Sequence, residues 1–282
     1  MRSRSPTLAR FTKMHALGND FVVLDAVTQP MRLSPARAAK IANRHTGIGC
    51  DQILLVEPPT RPDIDFHYRI FNQDGSEVAQ CGNGARCFAK FVRDRKLTGK
   101  NRIRVSTLVG ELELVCNPDR SYSVELGQPN FEPACVPMDV PRPEDSYRID
   151  TSEGEQSFFA LSLGNPHAVI PVEDIDTAPV ASVGQEFQQH AMFPESVNVG
   201  FMQRLDEYNI RLRVYERGAG ETLACGSGAC AAAIAGIRAG LLKSPVTVNL
   251  LLGSLEISWP GGESPVVLKG PATTVFQGRI RI

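Results

Sequence analysis

Two hydrophobic periods alternate along the chain. Short apolar or alternating runs read as strands: Phe21-Val22-Val23-Leu24, Gln52-Ile53-Leu54-Leu55-Val56 and Asp65 through Phe71. Ser34-Pro35 supplies an N-cap and a first-turn proline for a helix from about Ala36 to Arg44. Ala85, Phe88, Ala89 and Val92 fall at i, i+3, i+4 and i+7, which predicts a helix with one face in the core and a stop at Gly99. Ile103–Val105, Glu111–Val115 and Tyr122–Leu126 alternate as three further strands. Pro129, Pro133, Pro137, Pro141 and Pro143 then mark a surface crossing and the best candidate for a domain boundary.

Beyond it the alternation resumes. A strand at Phe158–Leu161 leads to Gly164-Asn165-Pro166-His167, then to a helix near Val180–Gln189 and strands at Val197–Met202 and Ile210–Tyr215. From Gly226 through Ile237 there is no charge and the composition is mostly Ala and Gly, the pattern of a helix buried all round. Strands follow at Val246–Leu250, Ser254–Ser258 and Val266–Lys269, with a last one near Arg279.

The pattern is said twice. Cys81-Gly82-Asn83-Gly84-Ala85-Arg86 and Cys225-Gly226-Ser227-Gly228-Ala229-Cys230 each open a helix, 144 residues apart (225 minus 81). That shift also lays Arg69-Ile70-Phe71 on Arg213-Val214-Tyr215, Asn72 on Glu216 and Glu77 on Glu221. A shift of 146 lays Leu17-Gly18-Asn19 on Leu163-Gly164-Asn165 and Gln52 on Asn198; a shift of 143 lays Val105, Gly110, Leu112 and Glu113 on Val248, Gly253, Leu255 and Glu256. Units of this length are too long for a solenoid. They predict two homologous domains, each a strand-rich shell around one helix. If such domains face each other about a pseudo-two-fold axis, the two cysteines meet.

Composition narrows the chemistry. At 282 residues, with 42% hydrophobic and 22% charged, the chain is globular, and a net charge of −1 gives no field for nucleic acid or an anionic membrane. No apolar run approaches the roughly 20 residues that span a bilayer. The start, Met1 through Pro6, has positive charge without an apolar segment behind it, so it reads as a frayed terminus rather than a secretory signal. Seven cysteines, an odd number, predict free thiols in a reducing compartment, hence the cytoplasm. A zinc site fails on spacing: there is no C-x-x-C and the five histidines form no ligand pairs. Most of the cysteines, Cys116 and Cys135 among them, read as buried hydrophobes.

A cysteine at a helix start feels the positive end of the dipole, a setting that lowers a thiol pKa. Two such thiols facing one carbon suit a particular reaction: a thiolate removes a proton from one face and a thiol returns one to the other, which inverts a stereocentre. The α-carbanion of an amino acid needs support, and the amides of Gly82, Asn83, Gly226 and Ser227 stand where a carboxylate can be held. Asn19, Asn72, Asn165 and Asn198 sit at the ends of apolar runs, each also readable as a turn residue. Gln52 lies in an apolar strand, where it needs a partner. Arg217 offers a two-point grip on a carboxylate and Glu216 a seat for an ammonium, against the alternative of an exposed salt bridge. His167 can polarise or relay a proton, or be purely structural.

The residues Asn72-Gln73-Asp74-Gly75-Ser76-Glu77-Val78-Ala79-Gln80-Cys81-Gly82-Asn83-Gly84-Ala85-Arg86 closely resemble the signature of the diaminopimelate epimerase family around its first catalytic cysteine. Met14 through Phe21 resembles the family's opening strand, with Ala16 where Gly is usual; Gly164-Asn165-Pro166-His167, Glu216 through Thr222 and Ala224 through Gly228 resemble its remaining site motifs. The resemblance runs from Arg10 onward. It implies an α+β fold of two pseudo-symmetric domains, each a curved, mixed, largely antiparallel sheet around a central helix. Residues 1–127, joined by a returning strand at 271–282, would form one half and residues 128–270 the other. It implies cofactor-independent epimerisation of LL-diaminopimelate to the meso form, on the way to lysine and peptidoglycan. Cys81 and Cys225 would be the acid/base pair, with His167 and Glu216 assisting. Asn19, Gln52, Asn72, Asn165, Asn198, Glu216 and Arg217 would bind substrate, and the amides of Gly82, Asn83, Gly226 and Ser227 would hold the reacting carboxylate. A homodimer is also implied, with Phe276 standing where many members carry Tyr.

Two other readings remain open. A proline or hydroxyproline racemase shares the two-cysteine logic, but Asn72, Asn198 and Arg217 favour a substrate with a second charged end. A thiol redox protein would use Cys81 and Cys225 as a disulfide and leave the Asn/Arg set without a task.

Overall fold

The computed structural model describes residues 8–78 and 81–281. The expected frayed start and the Ala79-Gln80 step of the signature lie outside the described residues. Contacts divide the chain into two units, one running to Val124 and resuming at Gly270, the other Glu125–Lys269.

In the first unit, β1 (Leu8–Ala16) and β2 (Asn19–Asp25) form a hairpin; α1 (Pro35–Ala42) leads to β3 (Gln52–Glu57), β4 (Phe66–Asn72) and the short β5 (Glu77–Val78). Then come α2 (Gly82–Asp94), β6 (Arg102–Ser106), β7 (Glu111–Cys116) and β8 (Tyr122–Glu125). The second unit holds β9 (Tyr147–Thr151), β10 (Gly154–Ser162), β11 (Pro166–Val172), α3 (Val180–Gln189), β12 (Asn198–Arg204), β13 (Asn209–Glu216) and β14 (Gly220–Thr222). It continues through α4 (Gly226–Arg238), β15 (Val246–Leu250), β16 (Gly253–Ser258) and β17 (Val267–Gly270). The last strand, β18 (Thr273–Arg281), pairs with β1.

The two units repeat one topology. In the first, the pairing order β18-β1-β2-β3-β4-β6-β7-β8 is antiparallel, antiparallel, parallel, antiparallel, parallel, antiparallel, antiparallel. In the second, β9-β10-β11-β12-β13-β15-β16-β17 follows the same series of directions. Each long helix packs against strands from well-separated places in that order: α2 against β1, β2, β3 and β7, and α4 against β10 through β13, β15 and β16. A sheet that touches one helix from both sides of its strand order is curved around it. The α+β class with a central helix in each unit is therefore as expected.

Local signals explain the helix ends. The Ser34 hydroxyl accepts from the Arg37 amide at 3.4 Å, with Pro35 in the first turn, as the sequence predicts for α1. The expected stop of α2 at Gly99 is corrected. The helix ends at Asp94, and Lys96 takes the left-handed conformation at φ 55° that was assigned to a glycine. The opening strand of the resemblance is broken at Leu17-Gly18, with φ 52° and 91°, into β1 and β2. Strands β9 and β11 were not foreseen: Pro166 and Pro171 break the expected β pattern of β11, and β9 follows the proline-rich crossing. In α4 the ten residues Gly226 and Gly228 through Gly236 are all buried, as an uncharged helix requires.

Candidate active site

Each cysteine phrase builds the same local structure. Cys81 is the N-cap of α2, extended at φ −151° and ψ 109°, and its Sγ accepts from the Gly84 amide at 3.3 Å. Cys225 is the N-cap of α4, at φ −114° and ψ 110°, and its Sγ accepts from the Gly228 amide at 3.4 Å. A thiol thus takes the capping role usually filled by Ser, Thr, Asp or Asn. The intrahelical ladders open with Ala85 N to Cys81 O at 2.8 Å and Ala229 N to Cys225 O at 2.9 Å. The amides of Gly82, Asn83, Gly226 and Ser227 lie before that first bond, in the first turn of each helix.

In the first unit, parallel strands β2 and β3 begin, and antiparallel β4 ends, at one edge of the sheet. Asn19 opens β2, Gln52 opens β3 and Asn72 closes β4, so that strand direction alone gathers them. Gln52 and Asn72 are register partners, and Gln52 Nε2 donates to Asn72 Oδ1 at 3.0 Å. Asn72 Nδ2 donates to Ser76 Oγ at 3.1 Å. Gln52 has therefore found half of the partnership its position demands; its Oε1 is shielded from solvent and has no partner among the described residues. Asn83 Nδ2 donates to Asn19 Oδ1 at 3.2 Å, which ties the first turn of α2 to the start of β2.

Sequence reasoning missed what aims Asn19. Its Nδ2 donates to Asp51 Oδ2 at 2.9 Å, and Asp51 Oδ1 accepts from Arg44 at 2.7 Å. Arg44 also grips Asp20, which Lys13 pairs with at 2.5 Å. Burial pushes the Asp20 carboxyl up, but its bonds to Arg44 and Lys13 win and hold it well below the usual carboxylate range. Charged residues flanking Asn19 and Gln52 were the available signal.

In the second unit the corresponding edge carries Asn165, just before β11, Asn198 at the start of β12 and Glu216 at the end of β13. Asn198 is almost fully buried; its Nδ2 donates to Pro166 O at 2.9 Å and its Oδ1 accepts from the Arg217 amide at 3.0 Å. Asn198 is thus a bracket between β11 and the residue after β13. Arg217 itself is exposed, with Nη1 on the Glu195 carbonyl at 3.1 Å and no carboxylate partner among the described residues. The salt-bridge alternative for Glu216-Arg217 is not what forms.

A chain of polar contacts runs through this unit. His167 and Asn165 Oδ1 lie 3.1 Å apart, and since an amide oxygen only accepts, the ring Nε2–H is the donor. Asn165 Nδ2 donates to Ser227 Oγ at 3.3 Å, and Ser227 Oγ is 3.6 Å from the Cys225 thiol. Cys225 bonds the Glu216 carboxylate, which also accepts from Thr222 Oγ1. Burial and then the Arg217 charge push the His167 ring down to about 3, so it is a neutral ring that orients Asn165.

The expectation of a lowered thiol pKa is corrected at Cys225. Burial is the largest influence and the Glu216 carboxylate the next, and together they push the thiol well up; the Ser227 hydroxyl and the Gly228 amide oppose them without prevailing. The helix start supplies favourable dipoles, but a nearby negative charge in a shielded place outweighs them. The other cysteines divide: Cys50, Cys87 and Cys230 are buried, whereas Cys116 is half-buried and Cys135 exposed, contrary to the reading of these last two as core residues.

Solved structures carry the same fold. A hydroxyproline epimerase from Agrobacterium vitis superposes with a TM-score of 0.72 at 15% identity, over 99% of this chain and 94% of that one. A PhzF-family phenazine biosynthesis protein from Bacillus anthracis gives 0.67 at 16% identity, over 98% and 100%. At that identity the likeness defines the fold class, one shared by amino-acid epimerases and PhzF proteins. Sequence goes further. The family model described as diaminopimelate epimerase matches residues 11–132 and 159–275. Relatives named diaminopimelate epimerase are 54% identical in Azotobacter vinelandii, over 98% of this chain and 100% of that one, and 55% in Azoarcus sp., over 97% and 99%. The chain belongs to the diaminopimelate epimerase family and is an isomerase.

Proposed function

We propose that this protein converts LL-diaminopimelate to the meso form by a two-base mechanism, in the supply of lysine and peptidoglycan precursors. Cys81 and Cys225 act as one thiol–thiolate couple on a single α-carbon. The thiolate takes the α-proton and becomes a thiol; the other thiol gives its proton to the opposite face and becomes the thiolate. The proton count is unchanged over a turnover, and the couple ends reversed. Two thiols suffice for these transfers without a cofactor. The observation that carries the reading is the matched seat of the two sulfurs, each an N-cap accepting one helix amide at 3.3 and 3.4 Å.

The amides of Gly82, Asn83, Gly226 and Ser227 hold the reacting carboxylate and the charge that grows on it. Glu216 faces the substrate ammonium and, by its contact with Cys225, sets which state that thiol rests in. Asn19, Asn165 and Gln52 line the reacting end, Gln52 through its unpartnered Oε1. Asn72, Asn198 and Arg217 take the distal amino-acid group, with Arg217 free to grip its carboxylate in two-point fashion. His167 acts through Asn165 rather than on the proton itself. We assign one half of the enzyme to residues 1–127 with 271–282 and the other to 128–270. The working form is a cytoplasmic homodimer; among the described residues β18 is an edge strand beside β1 with Val275 and Phe276 exposed, and Phe276 rests edge-on against Phe11 at 5.8 Å.

Turnover in deuterated water tests the scheme. LL-diaminopimelate gains one deuterium at the inverted α-carbon, and Cys81→Ala and Cys225→Ala each lose net epimerisation. Retained epimerisation by either variant sinks the two-base scheme, and turnover of proline but not diaminopimelate sinks the substrate assignment.

A further inference from the structure

The repeat is broken at one buried place beneath the first cysteine. Tyr68 lies on β4 with 1% of its surface exposed, its ring against Phe88 at 4.7 Å. Its hydroxyl is shielded from solvent and has no hydrogen-bond partner among the described residues. That hydroxyl sits under the first turn of α2: a Cβ placed on Gly84 would come within 2.5 Å of Tyr68 Oη, with Leu54 and Phe21 carbons at 3.1 and 3.4 Å. Gly84 is the residue whose amide donates to Cys81 Sγ at 3.3 Å. A polar O–H is thus enclosed in an apolar cage, one residue's breadth from the amide that holds the sulfur.

The second half lacks it. The shift that superposes the cysteines puts Tyr68 on Leu212 (68 plus 144), and a Cβ on Gly228 would meet first Val214 at 3.1 Å and Cys225 itself at 3.3 Å. In its place the second half has Glu216 beside the thiol, where the first has Asn72. A neutral hydroxyl lies against Gly84 in the first turn of the helix that Cys81 caps, and a carboxylate lies beside Cys225.

A buried donor without an acceptor costs stability, so its presence asks for a compensating use. We propose that Tyr68 is a positioning residue for Cys81, its hydroxyl dipole turning toward the sulfur when that thiol ionises and favouring the thiolate. The hydroxyl does this as a neutral group. Burial, and then charge on Cys81 and Cys87, pushes its own ionisation well up, so it never competes as a base. The proposal rests on the reading of Cys81 as a reacting thiol, but its test does not depend on turnover.

The test compares the full-length protein with Tyr68→Phe, and with Tyr68→Leu as the second variant, which copies the residue of the other half. The rate of iodoacetamide attack on Cys81 is followed against pH by mass analysis of its peptide, alongside the melting temperature. Alkylation reads the thiolate fraction. Loss of the hydroxyl moves the Cys81 profile to higher pH, lowering the neutral-pH rate about threefold, the equivalent of half a pKa unit. In Tyr68→Phe the melting temperature does not fall, since the group removed has no partner, and kcat drops with KM nearly unchanged. An unchanged alkylation profile in both variants, whatever their melting temperatures, overturns the proposal. Activity that survives Cys81→Ala fails the parent reading instead and leaves the alkylation result intact.

Discussion

The thiol of Cys225 bonds the carboxylate of Glu216, and burial together with that charge keeps the thiol protonated in the substrate-free protein. On the proposed role of Glu216, a substrate ammonium arriving there would neutralise the charge that raises the thiol, and binding would itself favour ionisation.

Glu216→Gln removes the negative neighbour and keeps the shape. The Cys225 alkylation profile moves to lower pH, the direction opposite to that expected at Cys81 for Tyr68→Phe. Net epimerisation falls about 10²-fold, the scale of a lost acid–base contribution. A Cys225 profile that stays in place would show that burial alone sets it.

His167 makes stability depend on pH. Its folded-state value is depressed to about 3, so its contribution is present above the ordinary histidine value of 6.5 and is lost as pH falls toward 3. At pH 5 the loss from this group is about 2 kcal/mol relative to pH 7, at about 1.4 kcal/mol per pH unit. Urea denaturation at the two pH values measures it, and His167→Gln removes that share of the dependence.

Gly84→Ala drives a methyl group into Tyr68 Oη, 2.5 Å away. The expected cost is about 1–3 kcal/mol of stability, as for other overpacked sites. In a Tyr68→Phe background the cost is smaller by about 1 kcal/mol, a coupling that a double-mutant cycle from chemical denaturation reads.

Thiol labelling of the native protein follows burial. Cys135, which is exposed, reacts first; Cys50 and Cys87, pushed up to about 12 chiefly by burial, react only on unfolding. Peptide mapping after timed alkylation checks the order.

How much of the site was legible follows from where its determinants lie. Cys81-Gly82 and Cys225-Gly226 are each adjacent in sequence, so their shared N-cap geometry could be read from one repeated phrase. Asn19 with Asn165, and Gln52 with Asn198, became candidates because a repeat about half the chain long aligns them. Asp51 and Arg44 were missed, because nothing local ties Arg44 to Asp51 and Asp20 before the chain after α1 turns back. The left-handed Lys96 escaped for a related reason: a glycine nearby was the cheaper reading, and packing after α2 overrode it.

The sequence alone determined the doubled plan, the two capping thiols and the uncharged buried helix α4, since periodicity and short-range spacing are written residue by residue. Tertiary structure decided the rest. Parallel and antiparallel strand directions bring Asn19, Gln52 and Asn72 to one sheet edge. Shielding from water lets Glu216 outweigh a helix dipole at Cys225. A hydroxyl from β4 is enclosed under Gly84 with no partner among the described residues. These are matters of dielectric, direction and enclosure, which depend on residues distant in the chain and have no signature in a local pattern.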